Sequence, residues 1–336
     1  MKTHYFLFIY LMLSGLMGFA QDLQYSQYYN APLFLNPAFT GTAENSRAVV
    51  NYRKQWPGLN NPFQSYSLSI DHLIEPANAG VGLVVKRDEQ GSSNLTATEL
   101  GIIGSYLLPL NASLVFVPAI QASWVNRSLN YRNLVFEDQF DLNDPTYIAP
   151  TSEEFAYAGR QNYLDLSAGG VLYSEDFWFG ISLNHMNRPN QVFLSNMNDR
   201  LPIKASFNAG YKFYFEKPRY GKREKSVIPT FLYKTQGRFD QLDIGVYGIY
   251  SPLTVGLWYR GLPVKPSVDG RMNHDAIVVM AGIRYKRALF AYSYDFTISP
   301  LRKYTGGAHE ISLAIEWKTP YKTKKRGKPI PCPKFY

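Results

Sequence analysis

The sequence is poor in cysteine and, after its first 20 residues, has no long apolar run. Cys332 is the single cysteine among 336 residues, which excludes an internal disulfide framework and a cysteine metal cluster. No later segment approaches the ~20 consecutive apolar residues that a membrane-spanning helix needs. The histidines beyond residue 20 lack metal-binding spacing, since they are scattered at His72, His185, His274 and His309. We therefore predict no metal site and no cofactor.

Aromatic residues, in contrast, are abundant. The chain contains 26 Tyr, 21 Phe and 5 Trp, or 15% of its residues, which is more ring than a soluble core of this size needs. Aromatic girdles at two membrane interfaces account for such an excess, because Tyr and Trp place an apolar body in lipid and a polar tip among the headgroups. A membrane location without a spanning helix requires a β-barrel.

The first 20 residues resemble a signal peptide. Lys2 and His4 precede an apolar run from Tyr5 to Met17, and Gly18-Phe19-Ala20 forms a small-residue cleavage site. We therefore predict an exported protein whose residues 1–20 are removed.

The charge of the chain is uneven, with a net value of +9. Seven Lys or Arg residues follow Trp317, and residues 318–336 are predicted to form a basic periplasmic tail. No nucleic-acid-binding motif is present, so we expect no nucleic acid as a partner. The tail suits contact with anionic lipid headgroups or with a periplasmic protein.

Between residues 46 and 317 the sequence falls into fourteen short alternating runs separated by turn residues, with no helical period. The last run is the clearest, since Ile311, Leu313, Ile315 and Trp317 alternate with Ser312, Ala314 and Glu316. Its apolar members are predicted to face lipid. The fold class predicted is all-β, a transmembrane antiparallel β-barrel of about 14 strands with long extracellular loops and short periplasmic turns.

The connections between the runs support this fold. The long connections fall on one side, at Ser128 to Arg160, Asn187 to Leu201, Leu262 to Asn273 and Pro300 to Ala308. The turns on the other side are short, except for Glu216 to Ser226. Soluble β-sandwich domains are the alternative, which the even strand number and the one-sided loops disfavour. Residues 21–45, rich in Tyr, Asn and Pro, are candidates to plug or line the barrel.

Several motifs of this chain resemble those of a known family. They are QDLQYSQYY at residues 21–29, PLFLNPA at 32–38 with Gly41, YRKQW at 52–56, GVGL at 80–83, SYD at 293–295 and GGAHEISL at 306–313. The sequence resembles the PorP/SprF family of type IX secretion system outer-membrane proteins over nearly the whole mature chain.

This resemblance implies an outer-membrane barrel of Bacteroidetes-type bacteria that is not an enzyme. Such a barrel works with the type IX apparatus in secretion or cell-surface attachment of cargo, including gliding adhesins that carry a C-terminal secretion domain. The implied partners are the secreted cargo, the type IX subunits and the lipid of the outer membrane.

Candidate partner-binding residues lie in the longest loop and near the outer end of the first strand. The loop Ser128 to Arg160 carries aromatic side chains among acidic ones, a composition that suits protein recognition. The residues proposed for binding are Tyr131, Phe136, Phe140, Tyr147, Trp56 and Arg53. For the last two, a girdle tryptophan beside charges of the lumen is the alternative.

No catalytic residues are predicted, because no G-x-S-x-G or comparable signature singles out a set. The neighbouring His309 and Glu310 are interpreted as a hydrogen-bonded pair at the rim of the barrel. The strand pattern alone equally allows a diffusion porin or a hydrophobic-solute transporter, which stays the alternative function.

Overall fold

A computed structural model describes residues 22, 24–43, 46–91, 95–129, 159–193, 199–217, 223–262, 273–299, 302–317 and 332. Among these residues, no helix has the length and apolar character needed to cross a membrane. The strands are β1 (Ser46–Gln55), β2 (Phe63–Ile74), β3 (Ala79–Gln90), β4 (Leu95–Tyr106), β5 (Val115–Ser128), β6 (Arg160–Tyr173), β7 (Phe177–Asn184), β8 (Lys204–Tyr211), β9 (Lys225–Gln236), β10 (Phe239–Tyr250), β11 (Leu253–Leu262), β12 (Asn273–Tyr285), β13 (Ala288–Thr297) and β14 (Ala308–Trp317).

Each of these strands pairs antiparallel with its neighbours in sequence, and the last pairs with the first. The closing pair of strands joins Ser46 to Trp317 and Gln55 to Ala308 without a break in register. The predicted closed barrel of fourteen antiparallel strands is therefore confirmed. Closure matters because an open edge in lipid would leave backbone donors and acceptors without partners.

The two faces of the strands are inverted relative to a soluble protein. In β2, Ser65, Ser67, Ser69 and Asp71 are buried, whereas Tyr66, Leu68 and Ile70 are exposed. The predicted lipid face of β14 is confirmed, since Ile311, Leu313, Ile315 and Trp317 are 38–41% exposed while Ser312 is 1% exposed. Apolar side chains thus cover the outside and polar ones line the inside, as expected of a barrel in lipid.

Two strands are interrupted and resume in short pieces. Leu108–Pro109 continues β4, and the gap lies opposite Pro118, which has no N–H to donate. Phe213–Glu216 continues β8 and pairs with the start of β9. The oversized inner turn predicted at Glu216 to Ser226 therefore begins as an extension of this hairpin.

The chain before β1 forms three short helical turns. These are a 3₁₀ turn at Tyr28–Asn30, α1 at Pro32–Leu35 and a 3₁₀ turn at Pro37–Phe39. Proline stands at the first position of the last two turns, where its missing N–H costs nothing. The Asn36 side chain caps the third turn by accepting from the Ala38 N–H. Two further turns, Glu75–Ala77 and α2 (Arg302–Thr305), connect strands.

Candidate functional site

The interior of the barrel is occupied by the chain's own N-terminal segment, residues 24–43. Every residue from Tyr25 to Ala43 except Phe34 is buried. The segment bonds to β14 through Glu310, to β8 through the Ala209 carbonyl and to β2 through Asp71. Since these strands lie on different sides of a closed barrel, the segment lies inside it.

The segment runs the full depth of the lumen. Asp22 contacts His185 and Lys204 beside the long loops, whereas the Gly41 N–H donates to Asp71 at the end with short turns. The barrel strands themselves begin and end at the side with short turns, where Ser46 pairs with Trp317. Asp22, which precedes them, lies at the opposite, outer mouth.

Glycines in the wall make room for the inner half of the segment. The Asn36 side chain donates to the carbonyls of Gly170 at 3.3 Å and Ile181 at 3.0 Å. A Cβ atom at Gly169 would collide with the Asn36 amide. The absence of a side chain at Gly169 therefore allows the segment to approach the wall closely.

Aromatic rings fill the middle of the lumen. Tyr29 packs edge-on against Trp178 at 5.4 Å and Tyr247 at 5.7 Å between ring centroids, and Tyr28 packs against Trp258 at 6.3 Å. All of these side chains are at most 3% exposed. Edge-to-face contacts of this kind add to the stabilisation from apolar burial. The lumen at this level is therefore filled by packed rings.

A buried ionic network lies toward the outer end. Arg53 pairs with Asp295 at 2.8 Å and with Glu310 at 3.2 Å. Arg260 pairs with Asp243 at 2.8 Å and with the same Asp295 at 2.9 Å. Each of these side chains is at most 4% exposed. Charges buried this deeply are tolerated because each has opposite charges and hydrogen bonds as partners.

The N-terminal segment completes this network. The Ser26 hydroxyl donates to Asp295 at 2.6 Å and accepts from Arg53 at 2.6 Å and Arg260 at 2.8 Å. The backbone N–H groups of Ser26 and Gln27 donate to Glu310 at 2.7 and 3.0 Å. The segment is thus held by charge-assisted hydrogen bonds, which are about twice as strong as neutral ones.

A second cluster of charges closes the outer mouth. The His185 ring nitrogens lie 2.8 Å from Asp22 and 2.9 Å from Asp165, and Lys204 lies 2.6 Å from Asp22. Burial alone would lower the pKa of His185, but the charge of Asp22 and the hydrogen bonds to both carboxylates raise it to about 9. Burial likewise raises the pKa of Asp22, yet Lys204 and His185 hold it well below its usual value.

The connection between β7 and β8 bends over this mouth. His185 and Arg188 adopt left-handed backbone conformations, with φ of 59° and 45°. Arg127 then donates to the backbone and side-chain oxygens of Gln191 at 3.0 and 2.8 Å. The connection therefore leaves the wall of the barrel and covers the lumen.

The predicted binding residues are not brought together by the described part of the chain. Tyr131, Phe136, Phe140 and Tyr147 lie outside the described residues. Arg53 is 3% exposed and faces the lumen. Trp56 has a left-handed φ of 57°, its ring packs against Phe63 at 5.1 Å between centroids, and its backbone N–H donates to the Gly307 carbonyl. For Arg53 this geometry favours the alternative interpretation, a charge of the lumen beside a rim tryptophan.

The predicted pair of His309 and Glu310 is wrong, because neighbours in a strand point to opposite faces. His309 lies outside and bonds to the Tyr292 hydroxyl at 2.8 Å. Glu310 lies inside and is fully buried. Sequence reasoning missed Glu310 as an anchor of the segment, although the alternation of β14 already placed it inward. Among the described residues, no group of three or more His, Cys, Asp or Glu side chains could hold a metal ion.

A closed barrel with an apolar outside and a filled polar inside defines the class as a transmembrane β-barrel protein. The family described as type IX secretion system membrane protein PorP/SprF matches residues 17–315, and the chain belongs to this family. The protein is located in the outer membrane. Its family and fold are those of a secretion-system barrel and not of an enzyme class.

Solved structures similar to this chain are outer-membrane barrels with little sequence identity. The toluene transporter TbuX of Ralstonia pickettii has a TM-score of 0.48 and 9% identity, with 85% of this chain and 92% of that chain covered. The toluene transporter TodX of P. putida has a TM-score of 0.47 and 12% identity, covering 86% and 94%. The outer membrane protein Omp33 of Acinetobacter baumannii has a TM-score of 0.44 and 6% identity, covering 82% and 100%. No curated protein sequence matches the chain.

Proposed function

We propose that this protein is a non-enzymatic scaffold of the type IX secretion system that supports secretion or cell-surface attachment of cargo. It binds the C-terminal secretion domain of that cargo, such as a gliding adhesin, on the outer side of the membrane. The observation that carries the proposal is the occupation of the lumen by Asp22 and by residues 24–43. A barrel whose interior is filled is expected to act by binding partners at its exposed ends and not by passing solutes through its lumen.

The same observation weighs against the alternative, a diffusion porin or a hydrophobic-solute transporter. A porin needs a continuous water-filled path, whereas packed rings of Tyr28, Tyr29, Tyr247 and Trp258 occupy the middle of this lumen. The ionic network around Ser26 then holds the segment in place. We therefore expect the intact protein to conduct no steady ionic current.

The outer loops are the proposed recognition surface. Tyr131, Phe136, Phe140 and Tyr147 stand among acidic residues in the longest of them, and Trp56 lies at the same end of the barrel. Large rings bury much area at little conformational cost, and interfaces are enriched in them. The basic tail is proposed to contact periplasmic subunits or inner-leaflet lipid.

Deletion of Asn133 to Glu153 tests the role of this loop. We expect the barrel to assemble normally and the cargo to disappear from the cell surface, measured by surface labelling and mass spectrometry against a strain lacking the gene. Deletion of Val264 to Gly270 from another outer loop is the matched control. Normal cargo attachment by an assembled barrel without Asn133 to Glu153 would contradict the proposal for this loop.

Ionic conductance of the purified protein distinguishes a scaffold with a filled lumen from an open diffusion pore. We expect the purified full-length protein to be silent in a planar bilayer. A variant lacking residues 24–43 should give steady open currents if the emptied wall stays closed as a barrel. Large open currents of the intact protein would favour the porin.

A further inference from the structure

One strand of the wall lacks a neighbour over its outer half. β6 pairs with β5 along its entire length, from Ser128↔Arg160 to Val115↔Tyr173. On its other side, pairing with β7 begins only at Ala168↔Leu183. Among the described residues, no strand pairs with residues 160–167 on that side.

The gap follows from the bending of the β7–β8 connection. At His185 the chain turns left-handed, and its side chain is held inside by Asp22 and Asp165. Further along, Gln161 and Arg127 bond to Asn190 and Gln191 on the lumen side. The strand that would have continued beside β6 therefore lies over the mouth.

The backbone groups along this edge of β6 are placed as in a strand that pairs with a neighbour. The Leu166 N–H donates to the Asn187 side chain at 3.1 Å, and the Leu166 carbonyl accepts from the Met186 N–H at 2.9 Å. The Asn187 amide also donates to the Leu164 carbonyl at 2.6 Å. A side-chain amide thus takes the place of one peptide group of a missing strand.

Toward its outer end, past the contacts with Asn187, β6 keeps the alternating direction of its backbone N–H and C=O groups. Since Leu166 points its N–H and C=O away from β5, every second residue does the same. The backbone groups that point to the open side and remain are therefore the Leu164 N–H and the N–H and C=O groups of Asn162 and Arg160. None of them has a partner on that side among the described residues. Unpaired edges of this kind are templates for strand addition.

The height of the edge places it at the outer surface. Leu164 lies opposite Trp124 in the register, and these outward side chains are 66% and 46% exposed. One step further out, the Asn126 amide donates to Asn162 at 2.7 Å, so the outer face becomes polar there. The edge therefore starts at the level of the interfacial aromatic belt and continues above it.

We propose that the edge from Arg160 to Leu164 accepts an extended segment of the secreted cargo as an added β-strand. An edge that offers alternating backbone donors and acceptors in strand geometry selects an extended polypeptide. The segment would carry an apolar side chain beside Leu164 and polar ones beyond it. This inference rests on the proposed function and names its mode of recognition.

Hydrogen exchange of the purified full-length protein tests whether the edge is free. Asn162 and Leu164 point their N–H groups to the open side, whereas their neighbours Gln161 and Tyr163 donate to β5. We expect the first two amides to exchange at least ten-fold faster than the other two at residue resolution. Equal protection of all four would show that another part of the chain covers the edge and would overturn the inference.

A matched pair of variants tests the use of the edge in cells. Both variants remove the Asn162 side chain and with it the hydrogen bond from Asn126 of β5. Asn162→Pro also removes one edge N–H but no backbone bond to β5, whereas Asn162→Ala keeps that N–H. The cargo is defined as the surface proteins lost from a strain without the gene. We expect Asn162→Pro to lower these proteins at least five-fold and Asn162→Ala to leave them unchanged, with equal barrel assembly by heat-modifiable migration.

The outcomes separate the inference from the function on which it rests. Normal surface cargo with an assembled Asn162→Pro barrel overturns strand addition and leaves the proposed function standing. Loss with both variants assigns the effect to the side chain and also overturns strand addition. A strain without the gene that keeps all its surface proteins contradicts the proposed function itself.

Discussion

The Ser26 N–H donates a 2.7 Å hydrogen bond to the Glu310 carboxylate across 284 positions of sequence. Glu310 has no exposed surface and bonds at the same time to Arg53 and to the Gln27 N–H. The start of the chain and its last strand are therefore joined inside the lumen. The stability of the segment and that of the barrel wall should be coupled through this carboxylate.

Glu310→Gln should destabilise the protein. The substitution removes one of the two negative partners of Arg53 at a buried position, where breaking an ion pair costs ~3 to 5 kcal/mol. The measurement is the unfolding midpoint in urea, followed by heat-modifiable migration. Glu89→Gln is the control, because its pair with Arg87 is exposed and such pairs contribute ~0 to 1 kcal/mol. Equal midpoints for both variants would contradict the coupling.

Adjacent residues of β14 should respond differently to arginine. Leu313 faces lipid, so Leu313→Arg should cost ~2 to 4 kcal/mol at mid-membrane. Ser312 faces the lumen and bonds to Gln27 at 2.7 Å and Asn30 at 3.3 Å. Ser312→Arg should therefore displace the segment while the barrel assembles, seen as open current in a planar bilayer. If both variants assemble and stay silent, the assignment of faces is wrong.

The outer anchor of the segment should weaken at high pH, because His185 loses its charge, whereas the pair of Lys204 with Asp22 does not depend on that proton. The pKa of His185 is raised to about 9, so its contribution is complete below the unfolded pKa of ~6.5 and disappears as pH rises through 9. The contribution of Asp22 depends on pH in the opposite sense. Because its pKa is lowered, this contribution is lost only in strong acid. The anchor is therefore expected to be strongest at mildly acidic pH and to weaken between the unfolded pKa of ~6.5 and the folded pKa of about 9.

Thiol labelling measures this release. In a Cys332→Ser background, Gln24→Cys should react faster with maleimide above pH 9 than below it, after normalisation to an exposed Asn111→Cys control. The normalisation removes the ordinary pH dependence of thiol reactivity. Asp22→Asn should abolish the additional step, because His185 then loses the charge that raises its pKa. A normalised rate independent of pH in the parent would disprove the pH-dependent weakening of the outer anchor.

Glycine substitutions should distinguish the inner and outer faces of the wall. Gly169→Ala places a methyl group against the Asn36 side chain, and overpacking of this kind costs ~1 to 3 kcal/mol. A Cβ atom at Gly104 has nothing within 4 Å, so Gly104→Ala should be neutral. Urea midpoints of the two variants give the comparison. A neutral Gly169→Ala would mean that the segment gives way at Asn36.

The strands were predictable from sequence because their signal is local. The fourteen runs predicted between residues 46 and 317 correspond to fourteen strands, the first of which begins at Ser46 and the last of which ends at Trp317. The alternation of β14 also predicted which residues meet lipid. Strand pairing then followed from order alone, since each strand pairs with its neighbours in sequence.

The contacts inside the lumen could not be derived in this way. Ser26 and Glu310 are distant in sequence, and no periodicity connects them. Arg53 was predicted at a binding surface because a charge beside a rim tryptophan suits recognition, yet its partners lie inside. The inward position of Glu310 was predictable, since the alternation that places Ile311 on the outside of the barrel places Glu310 on the inside. Gly169 and Gly180 both lie close to the Asn36 side chain, a contact that no local pattern of the sequence indicates.

The position of the N-terminal segment also bears on how the barrel is assembled. The segment spans the whole lumen from Gly41 to Asp22 and enters β1 only at its inner end. After β1 and β14 have joined, such a segment would have to be threaded through a closed wall lined by tight contacts. Assembly is simpler if the strands curl around the segment, which then acts as an internal template and sets the circumference at which the first and last strands meet.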